Sequence, residues 1–475
     1  MLNKIMIIGY YQLKDFFINI KECFEEYNYK VCSYPLFRYA YDSYDKISNY
    51  NEHLIKEIEV ENPNIILWWF LDVPDDVFTQ IKGKFPNIYY ILYNNDETVN
   101  MSAELLKKAK IFDLIVSPTK ENIIKYKVYS KVETILYNPA GFDPVFFYPF
   151  TDIIDYDCDI SMYCNNLCLD IDYYNDQYIN KIELIQNLVT YCKNNNKILK
   201  LYGIYIIKEY FPEHYCGDIT YIKFNEVYNK SRINICTHNF HNNSMYLNEN
   251  VFSILGSGGL LLIDPVKDLS KILKNNEHCI YLDKCDYINQ IDNILNNYEQ
   301  YNEIKKEGYE LSRNFTWKNW VSKIHIEYCK KKFDPNIYRE IYDLETEDIN
   351  ELWNIWIENK YSQICYCINV PISFDYESYA NNNYFINKSP IYCYVHWFLN
   401  SKNDIYITKK NNSVDFDTQK SNILVEDFFE IGTVFNEIKS YQYKDRGLDK
   451  LFKFTESRPY CDINNLLEKY LAMCD

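Results

Sequence analysis

Residues 250–264, NVFSILGSGGLLLID, decide the fold class. They place Gly256, Gly258 and Gly259, three of the chain's 11 glycines, between two apolar runs. The pattern predicts a helix over 247–256 that ends at a left-handed glycine and leads into a buried strand. Glycine also lets a helix and a strand pass closely, because it has no side chain. A helix that feeds an apolar strand in this way is typical of α/β proteins with a parallel sheet.

The alternation of strand and helix extends on both sides of this stretch. Apolar runs predict strands at 4–10, 64–70, 88–94, 113–119 and 132–140, and again at 158–164, 198–204, 218–222, 232–238, 259–264 and 278–282. Helices are predicted at 14–27, 46–61, 101–111, 178–193, 266–274 and 285–311. We therefore predict two doubly wound, Rossmann-like α/β lobes, residues 1–149 and 150–332. Ligands should bind beyond the carboxyl ends of the strands, in a cleft between the lobes.

The alternation stops after residue 332 and an aromatic repeat begins. FDPNIYREIY starts at Phe333 and FDYESYANNNY at Phe374, a shift of 41 residues. The shift predicts two small, mainly helical units over 333–402, followed by a region of unclear fold over 403–475. The repeat tryptophans have two interpretations, as core residues or as platforms that stack on sugars; they are Trp353, Trp356 and Trp397.

Composition excludes several classes of protein. The net charge is −17 over 475 residues, which argues against nucleic acid as a partner. The 16 cysteines form no CxxC pair, so we expect reduced thiols. The first residues lack the pattern of a signal peptide, and the longest apolar run, 65–71, is too short to span a bilayer. These features predict a cytoplasmic protein without a membrane span.

Two motifs, DLIVSPT (113–119) and NPAGFDPVFFYP (138–149), are similar to the end of the first lobe and to the turn that enters the second lobe in one family of proteins. On these motifs the sequence resembles GT-B glycosyltransferases. The second lobe is similar to the CgeB-like (spore maturation protein) glycosyltransferases in SRINICTHN (231–239), LNENVFSILGSGGLLLIDPVKDLSKIL (247–273) and SRNFTWKNWVSKI (312–324). The FDxxxY…W repeats resemble modules attached to glycan-biosynthesis proteins, including those of giant viruses. The resemblance implies a GT-B fold for residues 1–330.

The resemblance also implies the residues of the site. A helix that begins near Asn248 would present its N–H groups and the positive end of its dipole to a nucleotide diphosphate. The candidate donor-binding residues are Gly203, His238, Asn248, Glu249, Asn250 and Ser253. The candidate residues of the cleft and acceptor side are Gly9, Tyr10, Asn95 and Glu97. Asp96 is the candidate catalytic base for the acceptor hydroxyl, with a turn or helix-cap role as the alternative.

Other ligands are less well supported by the sequence. Gly9 lacks the further glycines of a dinucleotide-binding fingerprint. Cys236, His238 and His241 are a conceivable metal trio, but GT-B enzymes need no bound metal. We therefore expect no bound metal or cofactor, and a UDP- or GDP-sugar as co-substrate.

Two positions depart from the family pattern. Asn250 stands where the family has an arginine, and Ser253 where it has a glutamate expected to bind the donor ribose. Retaining GT-B enzymes often carry an earlier glutamate at the position of Met245. Glu249, one helical turn before Ser253, is a candidate substitute.

The sequence thus predicts a glycosyltransferase that moves a sugar to a hydroxyl of a glycan, protein or lipid-linked acceptor. The alternative is a catalytically impaired GT-B relative that acts as a glycan-binding or scaffold protein. Residues 333–402 are a candidate surface for a protein or glycan partner in either case.

Overall fold

The structure is a computed structural model. It describes residues 3–9, 14–27, 29–35, 47–69, 75–94, 103–151, 155–164, 167, 178–239, 241–358, 376–382, 388–390 and 392–393. Asn3–Glu327 form one compact unit, and the described residues from Tyr328 onward belong to a second.

The first lobe is a six-stranded parallel sheet covered by helices. Its strands are β1 (Asn3–Gly9), β2 (Tyr29–Pro35), β3 (Ile65–Trp68), β4 (Tyr89–Tyr93), β5 (Leu114–Ser117) and β6 (Ile135–Tyr137), in the order β2-β1-β3-β4-β5-β6. The helices are α1 (Lys14–Glu25), α2 (Ile47–Glu61), α3 (Asp75–Lys84), α4 (Ala103–Lys108) and α5 (Lys120–Tyr129). Strands β3, β4 and β5 are buried along their whole length, as strands covered on both faces must be.

The second lobe repeats this architecture with five parallel strands. They are β7 (Cys158–Cys164), β8 (Leu199–Gly203), β9 (Ser231–Cys236), β10 (Leu261–Ile263) and β11 (Ile280–Tyr281), in the order β11-β10-β9-β7-β8. The helices are α6 (Lys181–Asn195), α7 (Ile206–Tyr210), α8 (Phe224–Asn229), α9 (Glu249–Gly256), α10 (Tyr287–Asn296), α11 (Asn302–Ser312) and α12 (Trp317–Lys332). The strand predicted at 218–222 is wrong, because these residues form a loop and a 3-10 turn at Tyr221–Lys223.

The glycines after α9 end the helix and receive the linker between the lobes. Gly258 has φ +70°, and Gly258 N and Gly259 N donate to the carbonyls of Leu255 and Ile254, which is a Schellman motif. A Cβ on Gly256 would lie 2.3 Å from the ring of Phe142. A Cβ on Gly258 would lie 3.1 Å from the ring of Pro149. The glycine-rich turn therefore lets the linker segment 141–149 lie directly against the end of α9.

The two lobes contact each other near the carboxyl ends of their sheets. Thr119, after β5, donates its hydroxyl to the Ser244 carbonyl at 3.0 Å, and the Lys120 N–H donates to the same oxygen at 2.9 Å. The Tyr137 hydroxyl donates to the Met245 carbonyl at 2.8 Å. These bonds join the end of the first sheet to the segment that leads into α9.

Helix α12 returns from the second lobe to the first. Trp317 and Trp320 on α12 pack against Trp69 and Tyr93, which lie at the ends of β3 and β4. The amide of Asn138 donates to the Trp320 carbonyl at 3.1 Å. All four aromatic side chains are buried, so burial of apolar surface fixes the returning helix.

The second unit contains α13 (Pro335–Tyr342), α14 (Ile349–Glu358) and α15 (Tyr376–Asn382). Phe333 packs against Trp353 and Trp356, with ring centroids 5.2 and 5.6 Å apart. Trp356 is only 3% exposed, so this tryptophan belongs to a small core. Trp397 lies outside the described residues. Tyr338 and Tyr379, related by the 41-residue shift, are both buried, and the repeat itself stays a prediction.

Candidate functional site

The order of strands in the second sheet locates its ligand-binding edge. The chain continues from β7 to β8 on one side of β7, whereas β9 lies on the other side. A crevice opens at such a switch point, outside the carboxyl ends of the two flanking strands. These ends are Cys164 and Cys236. Helix α6 follows β7 and α9 follows β9, so both helices begin at this edge with the positive ends of their dipoles.

His238 follows β9 at this edge and is held by Asp264, the residue after β10. The His238 N–H donates to both carboxylate oxygens of Asp264, at 2.8 and 3.0 Å, and ring atom Nδ1 lies 2.8 Å from Oδ1. Both side chains are fully buried. Among the described residues, ring atom Nε2 has no hydrogen-bond partner, although it too is buried. The structure therefore places a buried polar atom, without a hydrogen-bond partner among the described residues, at the predicted donor edge.

Lys181, the first residue of α6, brings a cation to the same edge. Its side chain is only 4% exposed, and its ammonium donates to Asn239 Oδ1 at 2.5 Å. Asn239 directly follows His238 in the sequence, so the Lys181 ammonium binds the residue next to the imidazole. The donor edge therefore carries a buried positive charge beside the residue that follows His238.

Asn248 has the position predicted for it, as the cap of α9. Its Oδ1 accepts from the Asn250 N–H at 3.0 Å, and its Nδ2 donates to the Thr237 carbonyl at 3.2 Å. The Asn248 carbonyl accepts from the Val251 N–H. The first turn of α9 is therefore largely capped by the protein itself, and its contribution to a ligand would be the dipole more than free N–H groups. Glu249 begins this helix and is partly buried.

The side chains of Asn250 and Ser253, the two positions that depart from the family pattern, form hydrogen bonds within the protein. Asn250 Oδ1 accepts from the buried Tyr228 hydroxyl at 3.2 Å, beside a cavity of about 10 Å³ that has room for one water molecule. Ser253 is 3% exposed and its hydroxyl donates to the Glu249 carbonyl at 3.2 Å. Met245 is buried with φ +57°, and its N–H donates to the Lys267 carbonyl. No carboxylate stands at either position where retaining relatives carry glutamate.

Gly203, at the end of β8, has a conformational reason to be glycine. Its φ is +123°, and a Cβ would lie 2.0 Å from the Cys164 carbonyl oxygen. The backbone at the switch point could not pass so closely with any side chain at this position.

The first-lobe candidates are only partly described. Gly9 ends β1, and a Cβ there would lie 2.9 Å from the Cβ of Trp69. Tyr10, Asn95, Asp96 and Glu97 lie outside the described residues, so the catalytic assignment of Asp96 stays a prediction.

The metal trio is not assembled. Among the residues the structure describes, no three His, Cys, Asp or Glu side chains are grouped to hold a metal ion. Burial raises the pKa of the Cys236 thiol to about 12, so it is protonated at neutral pH. Asn248 is its hydrogen-bond partner.

Sequence reasoning missed two residues of this edge, Lys181 and Asp264. Lys181 follows Asn180, which caps α6 by accepting from the Glu183 N–H at 3.1 Å, and an asparagine before an amphipathic segment was the available signal. Asp264 is the polar residue that directly follows a fully apolar strand, where parallel sheets place their ligand-binding side chains.

Comparison with known proteins finds a family similar to most of this lobe. Residues 187–325 match a family model described as glycosyl transferase-like. The match runs from within α6 to within α12, so the matched region contains β8 to β11, His238, Asp264 and α9. The predicted glycosyltransferase character is confirmed for this matched region.

Solved structures with low sequence identity are similar to this chain over about two thirds of its length. Sucrose-phosphate synthase from Thermosynechococcus elongatus is 13% identical, with a TM-score of 0.52 over 69% of this chain and 98% of that chain. A glycosyltransferase from Rickettsia africae ESF-5 is 10% identical, with a TM-score of 0.49 over 69% of this chain and 98% of that chain. Anabaena HepE in complex with UDP and glucose is 9% identical, with a TM-score of 0.49 over 69% of this chain and 99% of that chain.

The similarity to sucrose-phosphate synthase and the strand order confirm the predicted fold class, two doubly wound lobes of GT-B type. The CgeB-like subtype stays a prediction. Among curated proteins, none shows significant similarity to the sequence. Within the described ranges, no helix is both long and apolar enough to cross a membrane.

Proposed function

We propose that the protein is a glycosyltransferase that takes a sugar from a UDP- or GDP-sugar and transfers it to a hydroxyl of a glycan, protein or lipid-linked acceptor. The observation that carries the proposal is that two buried side chains, Lys181 and His238, lie at the switch point of the second lobe. The donor would bind at this edge, and the acceptor on the first lobe opposite it.

The chemistry follows from where negative charge develops. The bond between the sugar and the diphosphate breaks, and the departing nucleoside diphosphate gains negative charge. The Lys181 ammonium and the N-terminal dipoles of α6 and α9 would stabilise that charge, and burial strengthens both effects. No step requires a metal ion bound by the chain. Asp96 is the proposed base for the acceptor hydroxyl in an inverting reaction.

Calorimetry on the full-length protein tests the donor site. We expect UDP or GDP, and a corresponding sugar nucleotide, to bind. Lys181→Met keeps the length and apolar stem of the side chain but removes its charge, and it should weaken binding about tenfold or more, since a charge-assisted hydrogen bond is lost. Lys193→Met on the same helix, an exposed position, is the matched control and should bind as the wild type does. The proposal fails if no nucleotide of the panel binds, or if Lys181→Met binds as tightly as Lys193→Met.

A second candidate function is that of a catalytically impaired relative that binds glycans or acts as a scaffold. The buried Met245 and the internally bonded Ser253 favour it, because neither can replace the family's carboxylates. Release of nucleoside diphosphate from each sugar nucleotide separates the two functions. Turnover with any acceptor supports the transferase, whereas tight binding without turnover across a broad acceptor panel supports the impaired relative.

A further inference from the structure

The His238–Asp264 pair has a fixed hydrogen-bond direction. An ionised carboxylate only accepts hydrogen bonds, so ring atom Nδ1 of His238, 2.8 Å from Asp264 Oδ1, carries a proton. The carboxylate cannot rotate away, because the His238 N–H donates to both of its oxygens. Both side chains are buried, so bulk water does not compete for the hydrogen bonds between them. The ring therefore has one orientation and one tautomer in its neutral state.

The second ring nitrogen, Nε2, is the atom left for a ligand. It is buried and has no hydrogen-bond partner among the described residues. Leaving a charged N–H unpaired in the interior costs more than leaving a neutral acceptor unpaired. With its proton on Nδ1 toward Asp264, the ring leaves a lone pair on Nε2.

The acceptor character of Nε2 restricts what it can bind. The phosphates of a nucleotide sugar carry only acceptors at neutral pH, and they fit Lys181. Hydroxyl groups of the ribose and of the transferred sugar are donors, and they fit a lone pair. The two polar groups at this edge therefore suit different parts of the donor molecule. The Lys181 ammonium suits the phosphates, and the His238 imidazole suits a hydroxyl.

We propose that Asp264 is a positioning residue that keeps the proton of His238 on Nδ1, and that the Nε2 lone pair accepts a hydrogen bond from a hydroxyl of the nucleotide sugar. The ligand half of this inference rests on the proposed function, whereas the tautomer of His238 can be measured without a ligand. Asp264→Asn is the informative change. The amide oxygen still accepts from the His238 N–H, while the amide NH₂ now donates to Nδ1 and moves the ring proton to Nε2.

Nitrogen NMR of the full-length protein labelled at its histidines tests the tautomer directly, with the His238 signal assigned from its loss in His238→Gln. We expect the wild type to show a protonated Nδ1 and an unprotonated Nε2 at neutral pH, and Asp264→Asn to show the reverse. A wild-type ring that is protonated on Nε2, as the other tautomer or as an imidazolium, overturns the proposal. This wild-type measurement stands even where a variant fails to fold.

Calorimetry with nucleotides then tests the function of the tautomer. Asp264→Asn should weaken binding of the sugar nucleotide about tenfold, because the Nε2–H of the ring and the hydroxyl of the ligand would then both be donors. In the His238→Gln background, which has no ring to orient, Asp264→Asn should add no further loss. Asp159→Asn is the matched control, since that carboxylate accepts the Ile198 N–H at the opposite edge of the sheet, and it should leave binding unchanged. An equal loss from Asp264→Asn in both backgrounds would show a structural role only and overturn the proposal.

The ligand panel identifies the hydroxyl. A loss seen with the sugar nucleotide but not with the nucleoside diphosphate places it on the sugar. A loss shared by both, but absent with the 2′-deoxy nucleotide, places it on the ribose. A loss of the same size with all three contradicts a hydroxyl partner. If no nucleotide binds the wild type, the proposed function fails together with the ligand half of this inference, while the NMR result still decides the role of Asp264.

Discussion

At the scale of single residues, the donor edge contains two positions with a positive φ, Gly203 and Met245. Gly203 has φ +123° and lies against the Cys164 carbonyl, and Met245 adopts a left-handed conformation with its carbonyl bonded to Tyr137. Backbone strain of this kind persists only where the surrounding structure enforces it. The switch point is therefore built with little tolerance for substitution, which suits a site that must hold a ligand in one geometry.

A series of glycine substitutions tests this account. Gly203→Ala should lower the free energy of unfolding by about 3 kcal/mol or more, because it adds a backbone clash to an unfavourable φ. Gly217→Ala, with φ +98° and open space around it, should cost only about 1–2 kcal/mol. Gly83→Ala, inside α3 with nothing nearby, should stabilise by about 0.5–1 kcal/mol. Denaturant unfolding measures all three, and equal losses at Gly203 and Gly217 would contradict the clash.

At the scale of elements, α9 and α12 hold the two lobes together. Helix α9 ends where the linker packs, with Phe142 against Gly256, and α12 carries its tryptophans back onto the first sheet. His325 on α12 extends this contact, since its Nδ1 lies 2.8 Å from the Tyr29 hydroxyl and its ring packs on Tyr27.

The contact between α9 and the linker predicts coupling between two mutations. Gly256→Ala should destabilise the protein by about 2 kcal/mol, because the new methyl group overlaps the Phe142 ring. Phe142→Leu alone should cost about 1 kcal/mol by loss of buried surface. The double variant should lose less than the sum, since the smaller side chain makes room for the methyl group. Additive losses in denaturant unfolding would show that the two positions do not share this contact.

The α12 contact predicts a dependence of stability on pH. Burial lowers the pKa of His325 to about 4, whereas the unfolded chain binds this proton near its ordinary value of 6.5. The folded state binds fewer protons, so stability falls as the pH drops below about 6.5 and the loss is complete below about 4. His325→Asn should abolish about 2 kcal/mol of the loss measured between pH 6.5 and 4.5. Tyr29→Phe removes the hydrogen bond but not the titrating ring, and should retain the wild-type pH profile. Identical profiles for the wild type and His325→Asn would refute the assignment.

Sequence patterns predicted the buried secondary-structure elements well and the elements at the edge of a sheet poorly. The buried strands β3, β4 and β5 were predicted from apolar runs, but β2 was not, because it is an edge strand that mixes Lys30 and Ser33 with apolar residues. Helix α5 has a weak hydrophobic pattern because Ile124 and Val128 are exposed, which obscures its apolar face. The strand predicted at 218–222 was wrong because alternating side chains there, such as Ile219 and Tyr221, pack on the core from a loop.

At the scale of the whole molecule, the fold class followed from the alternation of strands and helices, and the structural comparison confirms it. The sequence predicted only part of the candidate site. His238 and Asn248 were predicted because they sit next to a recognisable motif. Lys181 and Asp264 were not, because their proximity to His238 arises from strand order, which no local pattern encodes.

The division into two units predicts that the C-terminal region is dispensable for donor binding. The described donor-edge residues all belong to the unit Asn3–Glu327. A chain that ends at Lys332, the last residue of α12, should bind the same nucleotide as the full-length protein, with a Kd within about threefold. Calorimetry on both proteins checks this, with thermal unfolding as the control for folding. Loss of binding by a truncated chain that still unfolds cooperatively would assign residues 333–475 to the donor site.

The most direct test of the central claim is a crystal structure of the full-length protein with the nucleoside diphosphate that binds it most tightly. The account predicts that the diphosphate lies at the carboxyl edge between β7 and β9, with a phosphate oxygen within hydrogen-bond distance of Lys181 Nζ. A nucleotide bound on the first lobe, or one that leaves Lys181 and His238 without contact, would contradict it.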